Sequence, residues 1–241
     1  MRVVSGLPAD LHLRDAEYPK IEFPVIEPTS DLPAVVGSFH DPAFARDAFE
    51  FLSSKKAMTV DDYVALAQEK RSAAFTMSGI ENEDLLTSVK DALAEVVKTG
   101  GTDADFGKAV DAAFEDFGVT GVEPWRTRLV FDTNVRQAQA DGEWEQLHEP
   151  GVMDAFPFYR YRTRGDDRVR PNHRWMDGRV YASDDPIWDE WWPPNGFNCR
   201  CWIDYISRSE AEEKGIVADV ERPPVHPDDG FGLGEKEGPG A

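Results

Sequence analysis

The chain has 241 residues, of which 41% are hydrophobic, so it can bury the core of one large domain or two small ones. Its formal net charge of −20 argues against a nucleic-acid groove across the whole fold, because such a groove needs a basic surface. The sequence has no uncharged stretch near the roughly 20 residues of a bilayer span, no signal-peptide apolar region and only two cysteines, so we expect a soluble protein made in a reducing compartment.

Residues 1–40 contain five prolines, each of which removes a backbone donor and disfavours helix before it. We therefore predict an extended N-terminal arm over residues 1–40, with one strand at 21–26. Such an arm is either disordered or laid against another surface.

Residues 41–142 carry apolar residues at helical spacing, and we predict five helices there. Capping residues and prolines give their starts, which are Asp41-Pro42, Thr59, about Asn82, Thr102 and Pro124. Glycines give the ends of the later four, which are Gly79, Gly100, Gly118 and about Gly142. The second helix is predicted to include Ala74 and Phe75 in its apolar stripe. Because heptads do not persist across the gaps, the pattern favours a small helical bundle over a coiled coil.

Residues 143–208 change to short strand-like segments. Aromatic and basic residues alternate over 158–163, which predicts a strand. Asp177-Gly178 is typical of a hairpin turn between segments 174–176 and 179–181. A final strand is predicted over 199–206, with Cys199 and Cys201 on one face and Arg200 on the other. The fold class is therefore α+β, with a small antiparallel subdomain after the helices.

Residues 209–241 begin with a short acidic helix over 210–215. A tail rich in Pro, Gly and acidic residues follows, and we expect it to be mobile. The predicted organisation is thus an arm (1–40), a helical region (41–142), a β-rich region (143–208), and a helix with a flexible acidic tail (209–241).

The segment from Trp125 to Arg208 is rich in arginine and tryptophan. It holds all seven Trp and 12 Arg without a Lys, which favours paired or stacked guanidinium groups over codon bias as the explanation. We expect Asp166 and Asp167 to pair with nearby arginines, tying the 158–163 strand to segment 168–173. A DNA-contacting patch is the alternative, and the interleaved acids argue against it. The tryptophans predicted to cluster, with arginine stacked on them, are Trp188, Trp191, Trp192 and Trp202.

A possible metal or thiol site is formed by His173, Cys199 and Cys201. Two thiolates and an imidazole could hold zinc, with Asp177 or water as the fourth ligand. The interpretation we favour at this point is two small buried thiols beside a hydrogen-bonded histidine, because structural zinc sites usually show two spaced ligand pairs. A Cys–His nucleophile stays open, whereas a disulfide that encloses one residue would be strained.

Two motif-based enzyme classes are excluded. A zinc deaminase needs H-x-E with P-C-x-x-C, but His173 is followed by Arg174 and Trp175, and the thiols are spaced C-x-C. A phosphate-binding loop is also missing, since Gly118-x-x-Gly121 lacks the following Lys and Ser/Thr.

A series of motifs resembles a known family. The motifs are AAFTMSGI at 73–80, WRTRLVFDTN at 125–134, YRYRTRGDDRVRPNH at 159–173, MDGRV at 176–180, DDPIW at 184–188 and PPNGFNCRC at 193–201. In this order they look like the phage Mu protein F-like family, the minor head or head morphogenesis proteins of tailed phages, over about residues 42–208. The family positions fall here on Arg170, His173, Pro193, Pro194, Cys199 and Cys201, and the same motifs contain Asp177, Gly178 and Arg200.

The resemblance implies a low-copy structural protein of the phage head, without catalytic residues. Its partners would be the portal protein, the major capsid protein or a scaffold, and it would not contact a membrane. It would lie in the host cytoplasm during assembly and then in the virion, inside the capsid or at the portal vertex. Some family members carry C-terminal toxin or enzyme domains, but the match here stops near residue 208, so we expect none of these activities. No cofactor is expected, with zinc as the one candidate. The alternative is a metal- or thiol-dependent enzyme centred on His173, Cys199 and Cys201.

Overall fold

The structure is a computed structural model that describes residues 42–66, 71, 73–148 and 150–231. The arm predicted for residues 1–40 and the last ten residues of the predicted tail lie outside the described residues.

Four helices surround the first apolar core. They are α1 (Pro42–Ser54), α3 (Glu83–Lys98), α4 (Asp103–Asp116) and α5 (Pro124–Leu147). The caps follow the sequence, since the side chain of Asn82 accepts the Leu85 N–H and Thr102 forms a capping box with Asp105. Helix α1 packs against α3 and α5, and α4 packs against the same two helices. Their buried faces bring together Leu52, Leu86, Val89, Leu93, Phe106, Val110 and Val135.

The second predicted helix is wrong over most of its length. Helix α2 (Val60–Ala65) is capped by Thr59 as expected, but it ends at Leu66 instead of Gly79. Ala74 and Phe75 form strand β2 (Ala74–Phe75), which pairs in parallel with β1 (Lys56–Ala57). Both residues of β2 are buried there, and periodicity alone cannot distinguish a short buried strand from a helix segment.

Helix α5 is longer than predicted and passes through Gly142. A helical glycine costs about 1 kcal/mol relative to alanine, and this cost is offset because both sides of Gly142 are anchored in apolar cores. Val135 and Ala138 belong to the first core, whereas Ala140 and Leu147 belong to a second one. The helix therefore crosses the predicted boundary at residue 142 and takes part in both cores.

The second core lies against a three-stranded antiparallel sheet of order β4-β3-β5. The strands are β3 (Phe158–Arg162), β4 (Val180–Ala182) and β5 (Trp202–Ile206). Tyr159 on the central strand is opposite Tyr181 on one side and Tyr205 on the other. Two short helices lie in the connections to these strands: α6 (Pro150–Ala155) lies between α5 and β3, and α8 (Ile187–Trp191) lies between β4 and β5. The combination of helices with an antiparallel sheet confirms the α+β class.

The hairpin predicted at Asp177-Gly178 is wrong. Residues before the turn form helix α7 (Pro171–Met176) instead of a strand, with Pro171 in its first turn and His173 and Met176 buried at helical spacing. Gly178 takes a φ of +82° between α7 and β4, and its N–H donates to the Tyr161 carbonyl over 2.8 Å. The final strand is also shorter than predicted, since β5 begins at Trp202 and both cysteines precede it.

The aromatic cluster is confirmed for three of its four predicted members. Trp188, Trp191 and Trp192 are almost completely buried in the second core. Trp202 is only partly buried and does not join them; the Arg164 guanidinium lies 5.8 Å from its ring centroid. Arginine also stacks on Trp175, with Arg179 4.3 Å from the ring centroid.

The segment after helix α9 (Arg208–Lys214) lies against the domain as far as residue 231, whereas the sequence predicted a mobile tail. Two backbone hydrogen bonds join this segment to the β-rich part. The Asp219 N–H donates to the Val180 carbonyl over 2.6 Å, and the Asp228 N–H donates to the Asn195 carbonyl over 3.0 Å. The carbonyls of the segment accept from Tyr181 and Asn172 side chains. Among the described residues, no helix is both long enough and apolar enough to cross a membrane.

Candidate metal centre

Three potential metal ligands meet where α7 approaches the start of β5. The Nδ1 atom of His173 lies 3.7 Å from the Cys199 sulfur and 3.5 Å from the Cys201 sulfur. All three ligand atoms lie within 4.8 Å of one another. His173 is 2% exposed and Cys199 is 3% exposed, while Cys201 is partly buried.

Local sequence explains how these side chains are positioned. The Pro171 start sets the phase of α7, so that His173 and Met176 face inward. The loop of residues 193–201 folds back through a hydrogen bond from Cys199 N–H to the Gly196 carbonyl, 3.1 Å long. Both cysteines therefore reach the histidine from loop residues just before β5, because C-x-C spacing still directs the two sulfurs to one side.

The histidine is held by its far nitrogen. Nε2 lies 3.1 Å from the backbone carbonyl of Asn195. A carbonyl only accepts hydrogen bonds, so Nε2 carries a proton, and in the neutral ring Nδ1 then holds the lone pair. That lone pair faces the two sulfurs.

The buried Asn195 organises the surroundings of the group from two of its atoms. Its backbone carbonyl holds Nε2 of His173. Its side chain donates to the Tyr161 hydroxyl over 2.9 Å and to the Trp191 carbonyl over 3.0 Å.

The two thiols have opposite pKa shifts. The pKa of Cys199 lies well below its ordinary value, first because the Cys201 thiol donates a hydrogen bond to it, with further contributions from His173 and the Asn195 N–H. The pKa of Cys201 is raised, first by the same hydrogen bond and then by burial. The pair therefore shares one proton, and Cys199 is the more acidic member.

Asp177, which the sequence suggested as a fourth ligand, is not in the donor group. Its carboxylate accepts the Thr163 N–H over 2.8 Å, and the Arg162 Nε atom lies 4.0 Å from the same oxygen. Asp177 and Gly178 together shape the turn from α7 to β4.

The other motif residues brace the loop. Arg170 donates to the Phe197 carbonyl over 2.6 Å and pairs with Asp228 at 3.1 Å. Pro193 is buried, and the Pro193–Pro194 bond is cis. Arg200 donates two hydrogen bonds of 2.7 Å to Asp166. The arginine that pairs with Asp166 is therefore the one in the Cys-Arg-Cys segment. Arg174 also donates to the Asp166 and Val169 carbonyls, which braces the 166–174 turn.

Sequence reasoning missed Asn195, Tyr161 and Asp228. In the sequence Asn195 is one residue of the motif at 193–201, although a polar residue between buried aromatic segments is a signal for an organising amide. Asp228 lies in the predicted tail, yet it pairs with Arg170 across the loop.

The burial of the group decides which chemistry suits it. A cysteine nucleophile must meet a substrate, whereas Cys199 and His173 are enclosed by protein. Two sulfurs and one imidazole nitrogen with oriented partners match instead the ligand set of zinc.

Comparisons with known proteins agree with the resemblance in the sequence. Residues 87–204 match the family model described as Phage Mu protein F like protein, a span from α3 to β5 that includes His173 and both cysteines, whereas the motif at 73–80 lies before it. The chain is 26% identical over 159 residues to the putative capsid assembly protein F of Escherichia phage Mu, covering 59% of this chain and 36% of that protein. It is 26% identical over 155 residues to the Mu-like prophage FluMu F protein of Haemophilus influenzae, covering 59% of this chain and 37% of that protein. The chain thus spans little more than a third of the length of these relatives, and no solved structure matches it.

Proposed function

We propose that this chain is a structural protein of phage head assembly, because residues 87–204 match the family model described as Phage Mu protein F like protein. The observation that carries the proposal is this match together with a relative named as a capsid assembly protein. The matched span contains the sheet, the aromatic core and the Cys–His group.

The interior of the molecule supports a structural role over a catalytic one. His173, Cys199 and Asn195 are nearly or fully buried. These residues of the family motif therefore pack loop 193–201 against α7. We therefore propose no catalytic residues. The alternative enzyme centred on His173, Cys199 and Cys201 would have to reach its substrate through Cys201, since Cys199 and His173 are enclosed by protein.

We further propose a low-copy component that contacts the portal protein or the major capsid protein, with a scaffold as a third possible partner. The net charge of −20 supports contacts with protein over general wrapping by packaged DNA, because like charges repel. The location follows from this role: host cytoplasm during assembly, then the capsid interior or the portal vertex.

The first test is presence in particles. Procapsids and mature heads from the phage or prophage that encodes the chain are separated on gradients, and their proteins are quantified by mass spectrometry against the major capsid protein. We expect the chain in heads at far fewer copies than the major capsid protein. Absence from both procapsids and virions would refute the proposal.

The second test is genetic and biochemical. Deletion of the gene should lower the yield of infectious particles, and a plasmid copy of the full chain should restore it, while deletion of a tail gene is the control that leaves heads intact. Co-expression with portal or major capsid protein from the same genome, followed by reciprocal affinity purification, then identifies the partner. Unchanged particle yield together with no capture of any head protein would contradict the assembly role.

A further inference from the structure

We propose that Cys199, Cys201 and His173 bind one Zn²⁺ ion that fastens loop 193–201 to helix α7. The inference concerns a binding site and does not depend on the assembly role, so either can fail without the other.

The spacing of the donor atoms fits zinc. A tetrahedral ion with bonds of about 2.3 Å to sulfur and about 2.0–2.1 Å to nitrogen separates the bonded sulfur and nitrogen by about 3.5 Å. The measured separations from His173 Nδ1 are 3.5 Å to Cys201 and 3.7 Å to Cys199. The side chains therefore already have the separation that a shared ion would impose.

The imidazole presents the ligand lone pair. Its Nε2–H is fixed on the Asn195 carbonyl, the type of outer contact that sets the tautomer of a metal-bound histidine. Nδ1 offers a single lone pair, yet two sulfurs lie at contact distance from it. One metal ion bound at this position would use the Nδ1 lone pair and both sulfurs together.

The segment that carries the two sulfurs is held from outside by hydrogen bonds. The Cys199 N–H donates to the Gly196 carbonyl over 3.1 Å, and Arg200, which lies between the cysteines in sequence, donates to both oxygens of Asp166 over 2.7 Å. Outer contacts of this kind keep metal ligands in place.

The site has three protein ligands. Asp177 lies outside the donor group, so the fourth position belongs to water, which enters beside Cys201, the partly exposed member. Zn²⁺ binding leaves both sulfurs as thiolates and releases to solvent the one proton that the pair shares, so the site with its ion is neutral. The ion would join α7 to the segment before β5 and add its binding free energy to folding.

The experiment measures metal in the purified full chain. The protein is expressed with zinc in the medium, purified without chelators, and analysed by inductively coupled plasma mass spectrometry. We expect about one zinc per chain, falling to about a tenth or less in Cys201→Ser and His173→Asn, since each variant leaves only two protein ligands. Refilling the metal-free protein with Co²⁺ should give sulfur-to-cobalt charge-transfer absorption and the visible bands of a tetrahedral ion.

Three variants separate ligation from folding. His226→Asn replaces an exposed histidine outside the group and should keep its zinc, as should Asp177→Asn. Tyr161→Phe removes the hydroxyl that accepts the Asn195 side chain beside the group, and should weaken zinc affinity in a chelator competition by about 10–100-fold, the usual effect of an outer contact. Circular dichroism of each variant confirms that the fold persists, because serine and asparagine are close in size to the residues they replace.

The outcomes are decisive. Zinc at one equivalent with both thiols protected from a thiol reagent until a chelator is added supports the site. A wild-type protein that holds no zinc, gives no thiolate–cobalt absorption and reacts at both thiols would overturn it. An intact mass that shows a Cys199–Cys201 disulfide in the freshly purified protein would overturn it as well.

Discussion

Asp166 and Arg200 face each other through two hydrogen bonds of 2.7 Å, with both oxygens of the carboxylate engaged. Arg200 stands between the two cysteines in sequence, so this pair fixes the segment that carries both sulfurs. The pKa of Asp166 is lowered, first because Arg200 donates hydrogen bonds to the charged form and then by further donors.

Asp166→Asn should lower the melting temperature at neutral pH, because the bidentate pair loses its charge and one acceptor oxygen. The folded-state pKa lies below the unfolded value, so the stabilisation is present above the unfolded pKa and disappears as pH falls through the folded one. The difference between variant and wild type should therefore shrink in acid. Thermal melts across pH check it.

The neighbouring Asp167 provides the matched control, since its residue is exposed. Asp167→Asn should leave the melting temperature close to that of the wild type. Equal effects of the two substitutions would show that the pair with Arg200 contributes nothing specific.

Glu143→Gln should make the protein more stable than the wild type as pH rises. Burial raises the pKa of the Glu143 carboxyl to about 8 from its ordinary 4.5, and the Tyr205 hydroxyl donates to it. Glu143 is only partly buried as a whole residue, and its carboxyl group is the buried part. Between pH 4.5 and 8 the folded state holds a proton that the unfolded state has lost, so this group makes stability decline across that range. The variant should lack this decline, as chemical denaturation at several pH values would show.

Comparison with the wild type is needed at each pH because Lys55 acts in the opposite direction. Burial lowers the pKa of Lys55 to about 7 from 10.5, so its contribution to stability rises with pH over that interval. Glu145→Gln, at an exposed residue, is the control and should track the wild type. A Glu143→Gln profile parallel to that of the wild type would contradict the buried neutral carboxyl.

Gly196→Ala should destabilise the protein by about 1–3 kcal/mol, the usual cost of overpacking. An added Cβ would lie 2.4 Å from an oxygen of Asp228 and 3.1 Å from Nη1 of Arg170, which are themselves paired. The new methyl can fit only by separating that pair. Urea denaturation measures the effect.

Two further variants test the reason for this loss. Gly107→Ala adds a methyl to α4 where no atom lies within 4 Å, and should stabilise by about 0.5–1 kcal/mol. In an Asp228→Ala background the clash is removed, so adding Gly196→Ala should then cost little. A full, additive loss in the double variant would rule out the contact with Asp228 as the cause.

Trp188→Ala should cost about 3–5 kcal/mol of unfolding free energy, as expected for removing a large core side chain. Trp188 is fully buried, and its indole N–H donates to the Ala182 carbonyl over 2.8 Å. Trp125 is 43% exposed, so Trp125→Ala should change stability by about 0.5 kcal/mol or less. Similar losses at the two positions would contradict the buried cluster.

Sequence signals predicted the elements whose causes are local. Helices α3 and α4 follow from Asn82 and Thr102 as caps and from apolar residues at helical spacing, all within a few turns. The meeting of His173 with Cys199 and Cys201 was also within reach, because C-x-C spacing keeps two sulfurs together.

Features decided by distant contacts escaped prediction. Segment 171–178 carries both a helix start at Pro171 and a hairpin signal at Asp177-Gly178, and burial of His173 and Met176 selects the helix. Asn195 acquires its role from Tyr161, 34 residues away. The segment near Asp228 has the composition of a tail, yet it is held by contacts with Arg170, Asn172 and Asn195, which are distant in sequence.

Helix α5 contributes residues to both large apolar cores, so neither can come apart while the other stays intact. Unfolding of the sheet side would remove the packing partners of Ala140 and Leu147. Because the same helix carries Val135 and Ala138, the first core would be destabilised as well. The two halves should therefore denature in a single cooperative step, and amides in the middle of α5 should be among the slowest to exchange with deuterated solvent.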